Sequence, residues 1–295
     1  MVSCGIVICI LLSAHPVCAD LVKITDNVYS YLDVKEPSAV NSFGANAGII
    51  IGKDGVAVID TLVSSKAAKQ FIQDIRKITD KPIKYVINTH YHIDHAFGNS
   101  EFEKLGAAII VQENCNANIR KTGEYILKNA GNYGLTKEDL EGTGIVFPDL
   151  TFKDRMTTDI GGEIIELIYF GPSHSTGSIL VYLPAQQVLF AGDILFTDFH
   201  PFMGEGNIAG WLSVLDYMLY LDAEKIIPGH GPLSVKKDVK EMKEYITTFD
   251  KHAKKLVSES KDEKFIETEL LKVLPKKSGG HFLILPNIKM KYLQK

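Results

Sequence analysis

Ile83-Lys84-Tyr85-Val86-Ile87-Asn88-Thr89-His90-Tyr91-His92-Ile93-Asp94-His95 is the stretch on which the reading of this chain turns. Residues 83–88 are rich in β-branched and aromatic side chains and predict a short buried strand. His90, His92, Asp94 and His95 follow at its carboxyl end, where α/β proteins place their sites. Imidazole and carboxylate are the ligand set for zinc and similar borderline cations. Buried together without a cation, four such groups would all need polar partners, at substantial cost. Residues 96–105 predict a short helix, with Gly106 as its stop.

One cluster cannot fill two metal shells, and further ligand types lie downstream. His174 sits in Gly171-Pro172-Ser173-His174-Ser175-Thr176-Gly177. Asp193 ends Phe190-Ala191-Gly192-Asp193, straight after a strand read over 187–190. His230 sits in Pro228-Gly229-His230-Gly231-Pro232, after a strand read over 225–227. Taken singly, each reads as an ordinary loop residue. In this order, after the cluster, they form a constellation.

The order His-x-His-x-Asp-His, then His, Asp and His, resembles the metallo-β-lactamase superfamily of hydrolases, and the resemblance covers roughly residues 22–257. It implies an α+β four-layer αββα sandwich and two zinc ions, with iron or manganese as other candidates. His90, His92 and His174 would hold the first ion, Asp94, His95 and His230 the second, and Asp193 would bridge them. Asp60 looks like the family's acid that orients a ligand, though a strand-end cap reads equally well. The runs 178–192, 206–209 and 226–231 are similar to true β-lactamases. The cysteine-using β-lactamases, however, have Cys where this chain has Asp193 and a basic residue at His95. They also carry a carboxylate-gripping Lys at the position of Phe196. Asp193 and His95 instead match glyoxalase II and its relatives.

Composition is that of an ordinary globular protein: 295 residues, 45% hydrophobic and 23% charged. A net charge of −4 from 32 basic and 36 acidic residues argues against a broad nucleic-acid surface. Residues 5–14 are largely apolar, and Val17-Cys18-Ala19 offers small residues before a cut at Asp20. Residues 1–19 are therefore expected to be a signal peptide, with the protein periplasmic or secreted and without stable membrane contact after cleavage. An uncleaved membrane anchor is the rival reading. Three of the four cysteines fall in that segment, so only Cys115 remains, and it reads as structural.

Residues 20–295 are expected to form a single domain with a C-terminal extension from about 260. Strands are predicted over 22–32, 47–51, 56–60, 107–111, 164–170 and 179–183. Helices are predicted over 65–78, 116–129, 210–221 and 235–257. This pattern alone says only mixed α and β. Residues 129–151 are Gly-rich and polar and read as an insertion flanking the cleft. Residues 276–280 read as a linker, and His281 as a surface residue.

The resemblance implies a hydrolase whose metal-bridging hydroxide attacks a carbonyl. Asp94 and Asp193 would fix the ions, and Asn207 is either an oxyanion donor or a turn residue. Counting two divalent ions, two carboxylates and a hydroxide leaves +1, which favours a small anionic carbonyl substrate. Phe196, Phe199, Phe202, Met203 and Trp211 are candidates for an apolar substrate wall, Trp211 reading more simply as core. β-Lactams lead among substrates, with thioesters next. A mononuclear iron dioxygenase is the reading from another class.

Overall fold

In the computed structural model, residues 20–34 and 36–293 are described; the expected signal segment lies outside them. Seven strands form one sheet in chain order: β1 (Asp20–Lys23), β2 (Val28–Leu32), β3 (Ala47–Ile51), β4 (Val56–Ile59), β5 (Ile83–Ile87), β6 (Ala108–Gln112) and β7 (Leu150–Phe152). The pairs from β1 to β4 are antiparallel, and those from β4 to β7 are parallel. Each parallel step is bridged by helix: α1 (Ser65–Ile78), then α2 (Ile93–Ala96) and α3 (Asn99–Glu103), then α4 (Glu113–Lys128).

The second sheet runs β12-β11-β10-β9-β8, built from β8 (Arg155–Asp159), β9 (Ile164–Ile168), β10 (Leu180–Leu183), β11 (Val188–Phe196) and β12 (Lys225–His230). Its one parallel pair, β11 with β12, is joined through α5 (Ile208–Tyr220). The chain then continues through α6 (Lys236–Glu259), α7 (Glu263–Val273) and the short α8 (Ile284–Asn287).

The two sheets face each other across a core that includes Ile50, Ile59, Ile110, Leu167, Val181 and Phe190. On the outer face of the first sheet, Phe71 and Ile75 of α1 and Ile119 of α4 pack against Val58, Val86 and Ile109. On the outer face of the second, Trp211 of α5 and Ile246 and Phe249 of α6 pack against Leu180 and Leu189. Helices on both outer faces of two sheets make the expected αββα sandwich. α1 has the expected bounds because Ser64 caps it, its hydroxyl accepting from Ala67 N at 3.2 Å.

Four local expectations are corrected. The strand read over 22–32 is a hairpin: Ile24 N and Thr25 N both donate to Val28 O, turning the chain at 25–27. The helix read over 96–105 breaks at Gly98, whose N–H donates to Leu62 O at 3.0 Å instead of continuing the helical ladder. A Cβ on Gly98 would also strike Thr61 O, so the close approach needs glycine. β11 continues through Asp193 to Phe196 because its parallel pairing with β12 shifts register and carries on. β8 and α7 were not foreseen; β8 is an edge strand of alternating polar residues with no apolar run to mark it.

The segment after α6 joins the core rather than trailing from it. Ile266 and Leu270 of α7, Ile284 of α8, and Ile288 and Tyr292 beyond it belong to the cluster around Trp211. The stretch read as a linker pairs with the second sheet's loop: Phe199 bridges Gly279, and Ser278 N and Gly279 N donate to Asp198 O. Among the described residues no helix is long and apolar enough to cross a membrane.

Candidate metal centre

The ends of β4, β5, β11 and β12, with the loop between β9 and β10, converge at one edge of the sandwich. β5 delivers the cluster: His90 lies beyond its end, and α2 carries Asp94 and His95. The loop before β10 brings His174. Asp193 projects from the irregular part of β11, and His230 ends β12. Asp193 has room because its neighbour on β12 is Gly229, where a Cβ would collide with Asp193 Oδ1.

The seven residues divide into two groups. Ligand atoms of His90, His92, His174 and Asp193 lie within 4.8 Å of one another, and so do those of Asp94, His95 and His230. Asp193 serves both groups through different oxygens. Its Oδ2 is 3.6 Å from His90 Nε2 and 3.4 Å from His174 Nε2. Its Oδ1 is 3.1 Å from His95 Nε2 and 3.5 Å from His230 Nε2. His92 turns Nδ1 to within 3.0 Å of His174 Nε2, and Asp94 Oδ2 lies 3.3 Å from His230 Nε2. The seven residues come together in space, Asp193 within the first group and with its Oδ1 facing the second.

Acceptors behind the cluster orient it. Asp60 holds three groups: Oδ1 accepts from Thr89 N at 2.8 Å, while Oδ2 faces the Thr89 hydroxyl at 2.7 Å and His95 Nδ1 at 2.8 Å. Of its two readings, the orienting one is what the geometry displays. Phe202 O lies 3.1 Å from His174 Nδ1. Glu205 was missed by sequence reasoning. Its Oε2 accepts from the Tyr91 hydroxyl and lies 3.6 Å from His92 Nε2. Tyr91 and Glu205 are 114 positions apart in sequence, so no local pattern pointed to the pair. Asp60 and Glu205 thus add two carboxylates beside the ligands.

The titration of the cluster follows burial and neighbours. Burial, with help from His95, holds His90 well below the ordinary imidazole value, and burial takes His174 down to about 3. Burial also opposes charge on His95 and His230, but Asp193 and Asp94 outweigh it. His95 is held well above its ordinary value and His230 is raised to about 9. Burial opposes the ionised form of Asp193, yet His95, His230, His90 and His174 together keep its carboxyl well below the usual range. A cation entering the second group must therefore displace protons.

The residues fit a metal pair. His90 Nε2 is buried without a hydrogen-bond partner, and an unpaired buried polar atom costs about 1–3 kcal/mol. A cation would satisfy it, and imidazole with carboxylate is the donor set of zinc.

The other candidates surround the ligands. Asn207 is exposed and caps α5, its Oδ1 accepting from Gly210 N at 2.9 Å. Trp211 is fully buried, donates to Ile194 O at 2.8 Å and sets its ring 5.2 Å from His174, so it backs a ligand from within the core. Met203 is buried too. Phe196 stacks flat on His230 at 5.0 Å, and Phe202 meets His92 edge-on at 5.8 Å. Residues 129–151 do flank the site, with Ala130 and Leu135 packing against Ile93 and Phe97. Cys115 is buried in the core, where desolvation pushes its thiol up, as a structural residue requires.

Comparison with known proteins adds to this geometry. The family model described as Metallo-beta-lactamase superfamily matches residues 40–230. A linear primary-alkylsulfatase from Pseudomonas sp. (strain ATCC 19151) is 26% identical over 227 residues, 66% of this chain but only 43% of that protein. The chain thus spans less than half the length of that relative. A metallo-beta-lactamase type 2 from Bacteroides fragilis is 23% identical over 216 residues, covering 72% of this chain and 78% of that one. Among solved structures, a metallo-beta-lactamase from Pontibacter korlensis shares the fold with a TM-score of 0.61 at 20% identity, over 77% of this chain and 98% of that one.

Proposed function

The chain belongs to the metallo-beta-lactamase superfamily, whose members are metal-dependent hydrolases, and from that premise we propose that it hydrolyses a carbonyl compound at a dinuclear zinc centre. The observation that carries this reading is Asp193, whose two oxygens face two separate ligand groups. His90, His92 and His174 would hold one ion, and Asp94, His95 and His230 the other. When bound, such a pair would supply Lewis acidity toward a carbonyl oxygen and lower the pKa of a bound water. The chain's own part is to keep that geometry: Asp60 fixes His95 and Thr89, and Phe202 O fixes His174. A mononuclear iron dioxygenase would leave the Asp94, His95 and His230 group without a role, which counts against it.

Two substrate classes are in play. The B. fragilis relative and the β-lactamase-like runs between residues 178 and 231 favour β-lactams. Asp193, His95 and a buried Phe196 in place of Cys, a basic residue and Lys favour thioesters. Export to the periplasm or beyond is part of the proposal and rests on the composition of residues 1–19. The test is hydrolysis of a chromogenic cephalosporin and of an acyl thioester by the zinc-loaded protein, beside its chelated form. Turnover of either that vanishes on chelation is expected; no turnover of both with two zinc ions bound would overturn the hydrolase reading.

A further inference from the structure

We propose that the cavity between α6 and residues 291–293 is a second binding site, separate from the metal centre, for a phosphate monoester that carries a small apolar group. Such a site is independent of the hydrolase reading. The cavity measures about 510 Å³, within the roughly 300–1,000 Å³ of small-molecule sites. None of the seven candidate metal ligands lines it. Apart from Ile208, the first residue of α5, it is built from residues beyond the 40–230 span of the family match.

One helix face supplies much of the wall. Asp250, Lys254 and Val257 recur at four- and three-residue spacing and so share a face of α6, and Lys261 follows just past the helix end. Lys291 and Tyr292 enter from the Ile288–Leu293 turn.

Charge in the cavity is unbalanced. Among the described residues Asp250 is the one carboxylate that lines it, and it is already engaged. Its Oδ1 accepts from the Tyr292 hydroxyl at 3.0 Å, and its Oδ2 lies 2.7 Å from Lys254 Nζ. Lys261 and Lys291 instead spend one donor each on a backbone carbonyl: Lys261 Nζ donates to Val257 O at 3.0 Å, and Lys291 Nζ donates to Gly206 O. An ammonium carries three donors, so each keeps two for a ligand. Three ammoniums against one carboxylate leave +2. Lys291 is half-buried, and burial lowers its pKa, with Asp250 opposing and Lys254 adding to the shift. A bound anion would offset both the burial and the repulsion.

The ligand class follows from that charge and from the rest of the lining. A phosphate monoester carries about −1.5 to −2 at neutral pH and three strong acceptor oxygens, which matches the +2 and the donors. A carboxylate would leave half of the charge unmatched. Ile208, Val257 and Leu293 add apolar surface beside the ammoniums, which an organic group would cover and inorganic phosphate would leave to water.

Phenylphosphonate tests the site, because its P–C bond resists hydrolysis while its head keeps the charge and the three oxygens. It is titrated calorimetrically into the zinc-loaded full chain, beside inorganic phosphate. Phenylphosphonate should bind with a submillimolar Kd, and phosphate at least about tenfold more weakly, since burial of the ring is lost. Lys254→Met and Lys261→Met replace exposed side chains and should each weaken phenylphosphonate about tenfold. Lys251→Met, an exposed position on α6 outside the cavity, should bind like wild type. Absence of binding at several millimolar would overturn the site. Binding that both cavity variants leave unchanged would also overturn it, by placing the ligand on the metal ions. An equal loss in Lys251→Met would do so too, since overall charge alone would then explain the affinity. Phosphate binding as tightly as phenylphosphonate would overturn the organic ligand class.

Discussion

Asp193 is the residue on which the site depends, since its two oxygens face the two ligand groups. Asp193→Ala is predicted to lower bound zinc from two ions per chain toward one or none, with turnover down at least about 100-fold; metal analysis beside a rate assay checks both. Asp60→Asn should weaken metal binding about 10- to 100-fold, because it removes the carboxylate that orients His95 and Thr89; chelator competition reads this directly. Asn207→Ser keeps a capping oxygen, so turnover within about threefold of wild type is expected, whereas a 100-fold loss would show that the amide acts on the substrate. The ligands were legible in the sequence because four of them crowd into six residues after a strand and the other three follow strands or fill a short loop in a fixed order. Glu205 was not, because its partners Tyr91 and His92 come from the far side of the chain.

At the scale of elements, α1 and the buried strands could be read from periodicity, for instance Ala68, Phe71 and Ile75 at helical spacing. The break at Gly98 and the extension of β11 could not, because each depends on a contact with a distant segment: Leu62 O in the first case, β12 in the second. The loop between β11 and α5 carries a pH dependence of its own. His200 is buried against Tyr245, with Nδ1 2.7 Å from its hydroxyl, and burial lowers its pKa to about 4. Its native form is then neutral where the unfolded form, near 6.5, still takes a proton. Stability should fall as pH drops from about 6.5 toward 4, by up to about 3 kcal/mol from this residue. Urea unfolding across that range should show a clearly smaller loss in His200→Gln; an equal loss would mean that His200 plays no part.

For the whole molecule, the four layers were accessible from the sequence only through the resemblance, since strand and helix order alone fits many mixed folds. The role of the C-terminal segment was hidden for another reason: its apolar residues are spread over α7, α8 and irregular turns, with no single period. Yet Ile284, Ile288 and Tyr292 are buried in the core beside Trp211. Removing residues 276–295 should therefore lower stability by several kcal/mol, since burial of each large apolar side chain contributes about 1.5–3 kcal/mol. Unchanged thermal unfolding would show that the segment is an appendage. The proposed centre requires two metal ions sharing Asp193. Zinc content per chain, measured by mass spectrometry after loading and dialysis of wild type and Asp193→Ala, tests it most directly. Two ions in the wild type and a clear loss in the variant are predicted; one ion or none in the wild type, or two ions retained without Asp193, would contradict it.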